Sequence, residues 1–204
     1  MLNRALLIFL IGAGVLATAA LGYFVIATYV VGRDQGGTTS YGEALVGGPF
    51  SLVDGGGQRV GPEDFQGQWM LIYFGFTFCP DVCPTELSKM TQALDTLGEA
   101  AEAIQPIFIT IDPERDTPEQ VGLYVSNFHP RMIGLTGTPE EVAIAAKAYR
   151  VYYRKAEVEG ASDYLMDHSS VIYLMGPDGR FITYFGYDTT VDEVVSRIRK
   201  AVSG

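Results

Sequence analysis

Cysteine is scarce in this chain: there are two among 204 residues, Cys79 and Cys83. That is too few for a disulfide-stapled scaffold, and a domain able to bury a core of this size has no need of one. Positive charge is also short, with 14 Lys and Arg against 24 Asp and Glu. General nucleic-acid binding needs a basic footprint, so the composition argues against that class. The acidic excess does not choose a partner by itself. It suits a basic protein or a cation, and equally ordinary solubility. Histidine is limited to His129 and His168, and no internal repeat interrupts the chain.

Charge of either sign is missing from Ala5 to Val31. As a helix, about 27 residues reach about 40 Å, more than the ~30 Å hydrocarbon core of a bilayer. Tyr23 and Tyr29 lie near the far end, where amphipathic rings suit a membrane interface. Ala17-Thr18-Ala19 has the pattern of a signal-peptide cleavage site, but the apolar run continues well past it, too long for a signal h-region. Residues 5–31 are therefore expected to be an uncleaved transmembrane anchor. Arg4 and the amino terminus are expected on the cytoplasmic side (residues 1–4) and the remainder exported. Residues 32–48, rich in Gly, Thr and Ser, read as a flexible tether, and 49–204 as the folded domain.

Within the domain, Phe50–Val53 and Gln58–Val60 flank Asp54-Gly55-Gly56-Gly57, a hairpin signal. Trp69 to Phe78 is almost continuously apolar, as in a strand buried on both faces of a parallel sheet. Thr85 to Ala103 has helical periodicity through Leu87, Met90, Leu94 and Leu97. A strand at Ile107–Ile111 runs into the charged loop Asp112-Pro113-Glu114-Arg115-Asp116-Thr117-Pro118. Thr117 and Thr138 are each followed by Pro and stand three residues before Gln120 and Glu141, so both are expected to cap helices. Met132–Leu135 is a short strand, Val171–Leu174 and Phe181–Tyr184 a second hairpin, and Thr190–Val202 a closing amphipathic helix. This order predicts an α/β, thioredoxin-like fold with an N-terminal hairpin extension, preceded by one transmembrane helix.

The chemistry concentrates in Cys79-Pro80-Asp81-Val82-Cys83-Pro84. Cysteines at i and i+4, with the second in the first helical turn, present both sulfurs at one helix N-terminus, where exposed N–H groups favour thiolate. A structural disulfide would close a tiny loop and constrain the unfolded chain little. Spacing leaves redox and metal chemistry both open, since the usual redox dithiol has two intervening residues. His168 precedes the strand expected beside the one that delivers the cysteines, in a Pro-free stretch where a thioredoxin would carry a proline. Two thiolates and a neutral imidazole suit copper, as Cu(I) or Cu(II), while zinc would usually want a fourth ligand. His129, at an expected helix end, reads as structural, an imidazolium favoured by the helix dipole. Met166 is either a weak thioether ligand or packing.

Four separated motifs resemble the Sco/SenC family of copper proteins, which assist assembly of the CuA centre of cytochrome c oxidase. They are Phe74–Pro84, Asp112–Pro118, Phe128-His129-Pro130-Arg131 with Ile133–Gly137, and Asp167-His168-Ser169; the likeness covers about residues 45–204. The resemblance implies copper ligation by Cys79, Cys83 and His168, and an anchor in the bacterial inner membrane, or its mitochondrial counterpart, with the domain facing the periplasm. It implies a CuA-bearing oxidase subunit as partner, with another periplasmic copper chaperone as a further one. Copper delivery is the expected role. The alternative is a thiol–disulfide oxidoreductase in which Cys79 and Cys83 are the catalytic pair. A peroxidase on the same fold would need an Arg beside the reactive cysteine, and spacing alone identifies none.

Overall fold

The computed structural model describes residue 3, residues 46–157 and residues 163–203. The expected anchor at 5–31 and most of the tether lie outside the described residues. Among the described residues, no helix is long and apolar enough to cross a membrane. The described strands and helices belong to the compact unit Ala44–Gly204.

Among the described residues, nine strands and four α-helices follow in order: β1 Leu52–Asp54, β2 Arg59–Val60, β3 Trp69–Gly75, α1 Val82–Leu97, β4 Ile104–Thr110, α2 Pro118–Ser126, β5 Ile133–Thr136, α3 Pro139–Ala148, β6 Tyr153–Ala156, β7 Leu165–His168, β8 Val171–Met175, β9 Phe181–Gly186 and α4 Val191–Val202. Seven strands form one sheet in the order β2-β1-β5-β4-β3-β8-β9. β3 pairs in parallel with β4, and β4 with β5; β8 joins β3 antiparallel. This is the α/β, thioredoxin-like arrangement the element order predicts. The N-terminal hairpin is no appendage: β1 pairs with β5 and so extends the main sheet.

The sheet's centre explains the apolar run in the sequence. From Met70 to Gly75 every residue of β3 is buried, which requires cover on both faces. Pro106 sits in β4 where β5 has not yet begun to pair, so its missing N–H leaves no gap on that side. Thr117 and Thr138 cap α2 and α3, each in a reciprocal capping box with Gln120 or Glu141.

Three differences from expectation matter. α1 starts at Val82, ahead of Pro84, and gives way to a 3₁₀ segment at Gly98, so the helix is shorter than the periodic stretch. Residues 46–48, assigned to the tether, are already held: the Gly47 N–H donates to the Ala148 carbonyl at 3.0 Å. The third is β6 and β7, which form a separate two-stranded ribbon where only a loop was expected. Short polar strands with exposed Arg154, Lys155 and Asp167 carry too little apolar alternation to announce a ribbon.

Candidate metal centre

The parallel register aligns the carboxyl ends of β3 and β4, with Gly75 opposite Thr110. The antiparallel β8 starts at that same end, with Ile172 opposite Tyr73. Three connections therefore meet there: the cysteine loop after β3, the charged loop 112–118 after β4, and the end of β7 before β8. His168 is the last residue of β7 rather than a loop residue.

Cys79, Cys83 and His168 converge, with one donor atom from each and all three within 4.8 Å of one another. Cys83 lies in the first turn of α1, fully buried, and its backbone N–H donates to Cys79 Sγ at 3.4 Å. Neither cysteine is in a disulfide. Cys83 Sγ stands 3.5 Å from His168 Nε2. His168 Nδ1 lies 3.1 Å from the Ser169 carbonyl, which can only accept, so Nδ1 carries the proton and the Nε2 lone pair faces the sulfurs. Tyr73 and Phe76 hold the imidazole edge-on, with centroids 6.1 and 5.9 Å away. Tyr73 also donates its hydroxyl to Cys83 Sγ at 3.8 Å.

The two sulfurs differ sharply in acidity. A hydrogen bond from the Cys83 thiol, aided by the backbone N–H groups of Cys83 and Asp81, outweighs partial burial and pulls Cys79 down to about 4. Cys83 moves the other way: it supplies that hydrogen bond, is buried and sits beside the Cys79 charge, so its pKa is raised and it keeps its proton. The pair is a half-exposed thiolate above a buried thiol.

Beneath the donors the packing is tight. A β-carbon added at Gly75 would lie 2.8 Å from Cys83 Sγ and 2.9 Å from the Tyr73 ring. Three residues along α1, Glu86 is fully buried and paired with Lys89 at 2.7 Å; its Oε2 has no partner. Burial raises the Glu86 pKa.

The charged loop touches both halves of the donor set. Asp116, fully buried, accepts from the Thr77 N–H at 3.0 Å, the Thr77 hydroxyl at 2.5 Å and the Thr110 hydroxyl at 2.6 Å, fixing the chain two residues before Cys79. Arg115 donates to Asp112 at 2.5 Å and to the Tyr164 carbonyl at 3.0 Å. The Tyr164 hydroxyl donates to Asp112 at 2.8 Å.

The remaining candidates fall elsewhere. His129 is nine-tenths buried and its Nδ1 accepts from the Arg131 N–H at 3.2 Å. Burial and the Arg131 charge lower its pKa, so it is a neutral imidazole and not the imidazolium expected from the helix dipole. Met166 is buried among core side chains, two residues from His168 on the same face of β7. Tyr73, Glu86 and Tyr164 carried no role in the sequence reading, and Phe76, Asp112, Arg115 and Asp116 stood there only as members of motifs, without roles. The one available signal was Glu86, an acid on the apolar face of α1 three residues after Cys83.

The SCO1/SenC family model matches residues 38–203. Protein SCO1 homolog 1, mitochondrial, of Arabidopsis thaliana is 49% identical over 164 residues, covering 80% of this chain and 49% of the relative. Protein SCO1 homolog, mitochondrial, of Homo sapiens is 50% identical over 159 residues, covering 77% of this chain and 53% of the relative. The chain thus spans about half the length of these curated relatives. The crystal structure of Arabidopsis thaliana ScoI with copper bound is similar at a TM-score of 0.71 and 50% identity, covering 76% of this chain and 99% of that one.

Proposed function

Because the chain belongs to the SCO1/SenC family, we propose that it is a membrane-anchored copper carrier that takes one copper ion at Cys79, Cys83 and His168 and delivers it to the CuA-bearing subunit of cytochrome c oxidase. The observation that carries this reading is the meeting of two sulfurs and an imidazole Nε2 within 4.8 Å. A soft ion sits about 2.3 Å from thiolate sulfur, which places three trigonal donors about 4 Å apart. The donors therefore need little movement. Thiolates select Cu(I), and the imidazole also admits Cu(II).

Loading has a proton consequence. Cys79 is already a thiolate, whereas Cys83 must release its proton as the ion enters. The half-exposed Cys79 is the sulfur an acceptor reaches first, so handover proceeds by ligand exchange from that side. Residues 5–31 would anchor the chain in a bacterial inner membrane with the domain in the periplasm, where a second copper chaperone would supply the ion. Titration of the reduced chain with copper tests the site: one ion should bind with thiolate-to-Cu(II) absorption, and His168→Ala should weaken it sharply. Unchanged affinity in that variant would remove the histidine from the site.

The acidity of Cys79 favours a second reading, thiol–disulfide exchange on the acceptor's cysteines. The Cys79 thiolate would attack the acceptor disulfide and displace one thiolate. Cys83 would then displace the other, leaving the acceptor dithiol reduced and Cys79–Cys83 oxidised. A Cys83→Ser variant should trap the mixed disulfide with a CuA-site fragment; failure to form it would exclude this role.

A further inference from the structure

The ribbon β6–β7, which carries His168, makes no strand pair with the main sheet. Its side chains instead grip the loop 112–118. Lys155 pairs with Glu114 at 2.6 Å. Tyr164, four residues before His168, is held on three sides. Its hydroxyl donates to Asp112, its carbonyl accepts from Arg115, and its ring stacks 3.8 Å from the Arg115 guanidinium. The opposite half of the donor set meets the same group, for Arg115 also lies 4.8 Å from the ring of Phe78, the residue before Cys79. Asp112 and Arg115 are themselves largely buried, with side chains 1% and 13% exposed, so the pairing is shielded from solvent.

We propose that Arg115, with Asp112, is a positioning residue that acts through Tyr164: it holds the His168 ribbon against the cysteine loop and so sets how fast His168 leaves the ion during handover. This rests on the copper-carrier reading above. Arg115 supplies no donor atom to an ion; its hydrogen bonds run to Asp112 and Tyr164, it pairs with Asp163 at 3.4 Å, and its Nη2 has no partner. Its planar fork and stacking face are what the arrangement uses, so lysine is not an equivalent replacement. The consequence is kinetic: loosening the grip leaves all three donors present but shortens the time the imidazole spends in place.

The test uses the full chain in detergent, with Tyr164→Phe, which removes only the hydroxyl, and Arg115→Lys. Amide hydrogen exchange of the copper-free protein reads the grip directly and needs no metal. Both variants should exchange faster at β6 and β7, with β3 and β4 unchanged. Cu(I)-loaded protein is then mixed with excess bathocuproine disulfonate, a Cu(I) chelator. Each variant should release the ion about tenfold faster, the scale of one charge-assisted hydrogen bond. Adding Tyr164→Phe to His168→Ala should produce no further acceleration, an outcome a merely structural role would not give. Unchanged ribbon exchange, or faster exchange with unchanged release, overturns the proposal. An equal acceleration in the His168→Ala background also overturns it. If His168→Ala itself releases copper like the wild type, His168 is not a ligand, the three-donor site fails and the proposal falls with it, while the exchange data still decide whether Arg115 holds the ribbon.

Discussion

His168 Nε2 faces Cys83 Sγ at 3.5 Å, across 85 residues of sequence and between two elements that share no hydrogen-bonded strand pairing. The contact joins the most buried sulfur of the site to the side chain at the end of the ribbon.

The acidity difference between the sulfurs should be visible by alkylation. In the reduced protein, Cys79 should react with iodoacetamide at a rate that is flat from about pH 6 upward and falls by half near pH 4, as its pKa of about 4 requires. Cys83 should stay silent. Because the folded pKa is depressed, the unfolded chain binds the extra proton between that value and the ordinary thiol range. The contribution is therefore present above the unfolded pKa and is lost as pH falls through about 4. Relative to Cys79→Ser, stability should rise over that interval, as measured by urea unfolding; a flat difference would contradict the thiolate assignment.

Asp116 accepts three hydrogen bonds in a buried position. Asp116→Asn places an amide donor against those donors and should cost about 1–3 kcal/mol in denaturant unfolding. It should also free the chain at Thr77, so hydrogen exchange there and at Cys79 should quicken. Loss of stability without local loosening would separate Asp116 from the site.

Gly75→Ala should be costly although alanine is a small change. Its β-carbon would meet Cys83 Sγ, the Tyr73 ring and the Phe108 ring at 2.8, 2.9 and 3.1 Å. Overpacking of this kind costs about 1–3 kcal/mol. The displaced sulfur should also weaken metal affinity, which equilibrium titration against a competing chelator would register.

Glu86 provides a pH signature. Burial raises its folded pKa above the ordinary carboxylate value. Its stability contribution is therefore full below about pH 4.5 and declines as pH rises through the raised value. Glu86→Gln should remove that decline, so the difference between variant and parent should shift in the variant's favour from pH 4 to pH 8. A pH-independent difference would show that Glu86 ionises in the fold as it does outside it.

The larger elements were legible because their signals are local. The apolar run of β3 marks a strand buried on both faces, and Thr117 and Thr138 mark helix starts through capping boxes that the structure contains. The three candidate donors were legible as residue types, although their convergence depends on pairings between distant strands. What could not be read was the support around them. Tyr164 and Arg115 are 49 residues apart, and nothing local to either announces a shared partner in Asp112. Asp116 is one of three acids in the loop 112–118, and only the fold brings Thr77 and Thr110 to it. The ribbon escaped because its strands are short and carry exposed charged residues.

The independence of that ribbon has a consequence for biogenesis. Cys79 and Cys83 are placed by β3 and α1, adjacent in the chain, whereas His168 is brought in by distant pairings, β8 on β3 and the ribbon on loop 112–118. We therefore expect a maturation intermediate with the dithiol assembled and the imidazole absent, open to oxidants before any ion can be held. Refolding under air should accumulate the intramolecular disulfide faster than copper can rescue it, and slowing ribbon docking with Tyr164→Phe should worsen the loss. Equal recovery of both proteins would argue that the two halves form together.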